Sequence, residues 1–198
     1  MFVGAEMSDA MIPYAAVKWL WIIFGSFWAL AAFVQKRNAR RQSSGSRLMQ
    51  MSVILLVLLP FVVEGRRAGL MYRHLYPHGL FIQYFGVLLM LLGLGFAVWA
   101  RFVLGRNWSG IVTVKEDHTL ITAGPYAWVR HPIYTGILLA LLGTAFALGT
   151  ILNLVEVPAV AFALWLKLRT EEKFMLETFG EQYTAYGMRV KALIPHVI

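Results

Sequence analysis

Long apolar runs separated by short polar stretches dominate this 198-residue chain. A helix needs roughly 17–25 mostly apolar residues to cross the hydrocarbon core of a bilayer. The first run covers 19–34 and can extend back through Tyr14. It is rich in aromatics (Trp19, Trp21, Phe24, Phe27, Trp28, Phe33), as suits a span with interfacial anchors. A second run, 48–63, is short. A third, 79–100, is unbroken by charge. A fourth stretch, 132–166, is interrupted only by Glu156. As one helix it reaches roughly 52 Å, too long for one crossing. Gly149-Thr150 and Asn153 mark the natural break, which predicts a tight hairpin of two short spans, 133–149 and 152–168.

The pattern therefore predicts an all-α integral membrane protein of five transmembrane helices, the last two a helical hairpin, with termini on opposite sides. Residues 1–103 form an N-terminal three-span region. Residues 104–198 hold a connector, spans four and five and a C-terminal tail.

Composition supports a membrane chain: 59% of residues are hydrophobic and 14% charged. The absence of cysteine excludes thiolate metal sites and a cysteine nucleophile. The 18 Lys and Arg exceed the 10 Asp and Glu, and 14 of those 18 fall in the 35–47 loop, the 101–131 segment and the tail. Five spans put these segments on one side, which the positive-inside rule makes cytoplasmic. Arg66 and Arg67 run against the bias. The net charge of +8 thus orients a bundle rather than marking a nucleic-acid partner. Acidic Glu6 and Asp9 before the first run argue against a signal peptide.

Two predicted cytoplasmic segments hold most of the polar side chains. In the first, Gly124-Pro125-Tyr126 is a turn signal and Arg130-His131-Pro132-Ile133-Tyr134 enters the fourth span. Pro132 suits the first turn of a helix. The N–H groups of Ile133, Tyr134 and Thr135 are then expected to be free for a carboxylate or phosphate at the positive end of the helix dipole. In the second, Lys167 and Glu171 share a helical face, Glu172 follows, and Gly180 reads as a helix C-cap. Gly86, Gly93, Ala97 and Ala100 line one face of the third span, and Gly136, Ala140, Gly143 and Ala147 one face of the fourth. His74 and His78 have metal-ligand spacing, but Pro77 lies between them. They read as loop histidines, and no metal site is expected.

The order Asn107-Trp108-Ser109, His118-Thr119-Leu120, Gly124-Pro125-Tyr126, Arg130-His131-Pro132-Ile133-Tyr134-Thr135-Gly136, Glu171-Glu172 and Phe179-Gly180-Glu181-Gln182-Tyr183…Tyr186 resembles the isoprenylcysteine carboxyl methyltransferase family. The resemblance covers about 104–198. It implies an S-adenosyl-L-methionine site on the cytoplasmic side, with His131, Pro132, Tyr134, Glu171 and Glu172 holding the cofactor and His118, Gly124 and Tyr126 near its entrance. It implies methyl transfer to a lipidic or prenylated acceptor, most simply an isoprenylcysteine-like carboxylate entering from the bilayer. The small-residue faces of spans three and four are expected to shape the lipid's path. Lys167 is the first choice for pairing the acceptor's carboxylate, with Arg169 and Arg130 as alternatives. The Arg-His-Pro-x-Tyr element is shared with phospholipid amine N-methyltransferases and NADPH-dependent sterol or enone reductases, which remain alternatives.

Overall fold

The computed structural model describes residues 3–31, 38–41, 70, 73–74, 79–105, 113–115, 119–195 and 197. Among these, the helices are α1 (Val3–Ala31), α2 (Leu80–Leu104), α3 (Pro132–Leu148), α4 (Ile151–Phe179) and α5 (Glu181–Arg189). One 3-10 turn, Gly124–Ala127, precedes α3. Two short strands, β1 (Asn38–Arg41) and β2 (Thr113–Lys115), pair antiparallel, a small departure from the all-helical expectation. They join the basic loop after α1 to the connector after α2.

Among the described residues, three helices are long and apolar enough to cross a membrane: Pro13–Ala31 within α1, then α2 and α4. The 17-residue α3 is apolar but shorter, about 25 Å. The chain is a membrane protein whose described part carries these spans. The expected second span, 48–63, lies outside the described residues.

The seam between α2 and α3 is tight enough to bring backbone against backbone. A Cβ on Gly93 would lie 2.6 Å from both Ala140 N and Gly136 O, and one on Gly143 2.5 Å from Met90 N. Gly86 meets Ala147 and Gly136 meets Gly93 in the same way. The backbones touch because no side chain stands between them. This corrects the expected lipid path: the two small-residue faces close on each other and leave no room for an acyl chain.

Helix α1 lies against this pair. Trp21 donates from Nε1 to Thr144 Oγ1 at 3.1 Å, which satisfies a buried indole. At the other end of α1, buried Arg101 of α2 donates to Ala31 O and Gly105 O, both at 2.7 Å. One guanidinium thereby serves carbonyls that close α1 and α2, where a cation also suits both dipoles.

The hairpin break falls where expected. Gly149 ends α3 at φ 60°, a left-handed position that disfavours any side chain, and Thr150 caps α4 by accepting from Asn153 N. Helix α4 then runs to Phe179, well past the expected end at 168. Its polar last turns are therefore rigid helix, and this is what carries Glu171 and Glu172. Gly180 caps α4, as read from the sequence, and the chain turns into α5.

Candidate active site

The start of α3 is held from outside by the C-terminal strap. Val129 and Lys191 form a parallel bridge, Arg130 N donates to Lys191 O at 2.8 Å, and His131 N donates to Ala192 O at 2.9 Å. Thr135 Oγ1 donates to Leu193 O at 2.7 Å. These bonds present the side chains of Arg130, His131 and Tyr134 to the polar end of α4.

Adjacent Glu171 and Glu172 occupy different environments. Glu172 is engaged at both oxygens: Oε1 accepts from Arg130 Nε (2.9 Å), His131 Nε2 (2.7 Å) and Tyr183 Oη (2.8 Å), and Oε2 from Arg130 Nη2 (3.0 Å). Glu171 Oε1 accepts from Tyr134 Oη at 2.6 Å and lies 3.8 Å from Lys167 Nζ. Among the described residues its Oε2 has only His131 Nδ1, at 3.6 Å, beyond a sound hydrogen bond. Glu171 therefore keeps an oxygen free of any sound hydrogen bond, whereas both oxygens of Glu172 are engaged.

Both ring nitrogens of His131 face carboxylates, an arrangement that suits the imidazolium. Burial works against that charge, yet the two glutamates outweigh it and raise the His131 pKa above its ordinary value. Arg130 behaves alike: burial opposes its charge, but its bonds to Glu172 raise the pKa. Burial also pushes Tyr126, Tyr183 and Tyr186 upward, Tyr186 to about 12. These phenols stay protonated donors at physiological pH.

The residues singled out from the sequence divide clearly. His131, Tyr134, Glu171, Glu172, Arg130 and Lys167 converge. The His131 ring stacks on Tyr134 at 5.4 Å between centroids, and Lys167 Nζ lies 5.4 Å from the centre of the same tyrosine. Pro132 is the buried first residue of α3. Gly124, at φ 61°, opens the turn that carries Tyr126 and packs close to Val103. Arg169 is exposed and stacks on Trp165, 5.0 Å from its ring, away from the cluster. Four of the five N–H donors of Arg130 are committed, since its Nη1 also bonds Gly187 O and Val190 O. It holds the site together and has no fork left for a substrate. His118 and Asn107-Trp108-Ser109 lie outside the described residues.

The expected anion site at the start of α3 is not open as expected. Tyr134 N and Thr135 N both donate to His131 O, at 3.0 and 3.1 Å. The first turn closes tightly on its own cap, so two of the three amides are taken.

Sequence reasoning assigned no role to Tyr183 and Tyr186. Tyr183 bonds Glu172, and Tyr186 Oη donates to Tyr126 O at 2.6 Å. Their spacing of three on α5, one face of a short helix, was the available signal. The carbonyls of Lys191–Leu193 left no trace in the sequence, because backbone acceptors carry no residue type.

A family model described as phospholipid methyltransferase matches residues 81–182, just over half of the chain. A protein-S-isoprenylcysteine O-methyltransferase of Saccharomyces cerevisiae is 35% identical over 57% of this chain and 48% of its own length. A probable protein-S-isoprenylcysteine O-methyltransferase of Oryza sativa subsp. indica is 27% identical over 89% of this chain and 92% of its own. The solved eukaryotic intramembrane Ras methyltransferase, isoprenylcysteine carboxyl methyltransferase, superposes with a TM-score of 0.51 at 25% identity. That match covers 80% of this chain and 55% of the solved one. The chain thus spans about half the length of the yeast relative and of the solved protein. With its site residues lying largely inside the matched segment, the chain belongs to the phospholipid methyltransferase family, and its similarity extends to proteins named isoprenylcysteine methyltransferases.

Proposed function

We propose that this protein is a membrane methyltransferase that uses S-adenosyl-L-methionine and methylates the carboxylate of an isoprenylcysteine-like lipid. The observation that carries this reading is the contrast between the two glutamates: both oxygens of Glu172 are engaged, whereas Glu171, with Lys167 3.8 Å from its Oε1, leaves Oε2 without a sound hydrogen bond. The residues present fit the cofactor. Glu171 Oε2 is a spare acceptor for an ammonium or ribose hydroxyl, and the stacked His131 and Tyr134 rings offer an aromatic wall. The names of the relatives support the acceptor class.

When bound, the cofactor supplies an electrophilic methyl group on a sulfonium. Glu171 holds its amino-acid or ribose end. A carboxylate acceptor is already ionised at neutral pH, so the protein needs no strong general base. Lys167 pairs that carboxylate, which a low-dielectric site binds only with a cation beside it. Arg130 and Glu172 keep α3, α4 and α5 in register. Alignment of two reactants is worth roughly 7–11 kcal/mol, enough to make orientation the main catalytic device here. In this reading the site faces the cytoplasm, and 104–198 is the methyltransferase unit of a five-span chain.

The phospholipid methyltransferase family match makes amine N-methylation the second reading. Lys167 disfavours it, since a fixed cation repels a protonated amine. Labelled cofactor offered with a prenylcysteine analogue or with phosphatidylethanolamine separates the two. Transfer to the prenylcysteine analogue is expected, and transfer to phosphatidylethanolamine alone would replace the first reading with the second. Absence of cofactor binding by calorimetry would remove both.

A further inference from the structure

Helix α4 shows a second face at its polar end. Lys167 and Glu171 turn toward the cluster around His131. Arg169 follows Lys167 by two residues, roughly 200° around the helix, and turns outward. Its guanidinium lies over the Trp165 ring, 5.0 Å from the centre, and Trp165 stacks on Phe162 at 5.8 Å between centroids. Lys173 stands one turn beyond Arg169, and both cations are exposed. Phe162 and Trp165 are exposed as well, at 60% and 42%. One outer face of α4 thus runs from aromatic rings to two cations.

Position along the helix decides what covers this face. Arg169 lies about 27 Å along α4 from Ile151, where a hydrocarbon core of about 30 Å gives way to headgroups. Tryptophan favours that same depth. The rings therefore meet acyl chains, and the cations meet the anion of the headgroup layer. Among the described residues, neither the Arg169 nor the Lys173 side chain takes part in a hydrogen bond or an ion pair. Glu171 and Glu172 are turned into the cluster. Glu177, the next acid on this face, follows Arg169 by eight residues, about 12 Å. A guanidinium seated on a ring keeps its N–H edge for a phosphate, which it grips with two bonds.

We propose that this face binds an anionic phospholipid. Arg169 and Lys173 hold the phosphodiester, and an acyl chain lies along Trp165 and Phe162. Lys167 and Glu171 are on the other side of α4, so this lipid is not the methyl acceptor. It fixes the height of α4 at the membrane surface, whatever reaction the cluster performs.

The purified protein in detergent micelles is titrated with phosphatidylglycerol or phosphatidylcholine, and bound lipid is counted by native mass spectrometry. Phosphatidylglycerol is expected to bind roughly 10-fold tighter or more, as two cations beside a headgroup imply. Arg169→Gln combined with Lys173→Gln is expected to abolish that preference. Arg189→Gln combined with Lys191→Gln removes the same charge from other exposed positions and is expected to preserve it. Equal binding of the two lipids by the wild type overturns the proposal. So does an equal loss in the two double variants, which would make net charge the cause. Displacement of the lipid by an equal concentration of glycerophosphoglycerol overturns it in favour of a phosphate site that needs no membrane. A dimer that the Arg169 and Lys173 variant dissociates overturns it in favour of a second copy of the chain. Lipid is counted on the folded species alone, which its charge states distinguish, so partial unfolding does not blur the comparison.

Discussion

Arg130 grips Glu172 along one edge of its guanidinium, Nε to Oε1 at 2.9 Å and Nη2 to Oε2 at 3.0 Å. Its remaining nitrogen bonds the carbonyls of Gly187 and Val190. One side chain thus joins the start of α3 to α4, α5 and the C-terminal strap. Only arginine has this planar fork.

Removing that hub is expected to unfold the polar end of the molecule. Arg130→Met leaves Glu172 a partly buried carboxylate without its fork and is expected to cost about 2–4 kcal/mol. Arg130→Lys, a point charge, is expected to recover less than half. Thermal midpoints in detergent micelles measure both, and a lysine variant as stable as the wild type contradicts the bidentate role.

The two glutamates should separate binding from stability. Glu171→Gln is expected to weaken S-adenosylhomocysteine roughly 10- to 100-fold, the loss of a charged acceptor, while the thermal midpoint stays within a few degrees. Glu172→Gln is expected to lower the midpoint first. Calorimetry and thermal unfolding on the same samples check the pair, and identical behaviour of the two variants would contradict the division.

His131 makes stability depend on pH. Its pKa is raised in the folded protein by Glu171 and Glu172 despite burial. The stabilisation is complete below the unfolded histidine value of about 6.5 and disappears as pH climbs through the folded value. The thermal midpoint is therefore expected to fall from mildly acidic to alkaline pH. His131→Asn is expected to flatten this slope, and a slope that survives the substitution points to another group.

The α2–α3 seam should reject a single methyl group. Gly93→Ala places a Cβ 2.6 Å from Ala140 N and Gly136 O, with backbone on both sides. Overpacking of this kind costs about 1–3 kcal/mol. Gly95→Ala meets nothing within 4 Å and is the control, neutral or slightly stabilising. Equal midpoints for the two variants would show that the seam yields.

Much of this fold is written in the order of residues. Apolar run length located α1, α2 and the α3–α4 hairpin, because a bilayer imposes a length on any helix that crosses it. Gly149 and Thr150 marked the break, since one residue tolerates a left-handed φ and the other caps a helix. The motif from Arg130 to Tyr134 and the Glu171-Glu172 pair named the cluster that the fold assembles.

Three matters were decided only in three dimensions. The small-residue faces of α2 and α3 were legible as faces, but periodicity does not say whether a lipid or another backbone fills them. Here each fills the other. The sequence also could not rank Arg130, Lys167 and Arg169, three cations near one motif. The fold spends Arg130 on Glu172, turns Arg169 onto Trp165 and leaves Lys167 beside Glu171. Finally, two adjacent glutamates look equivalent in the chain. Consecutive helical residues point about 100° apart, so each meets a different set of donors, and only those partners decide which carboxylate keeps an oxygen free of a sound hydrogen bond.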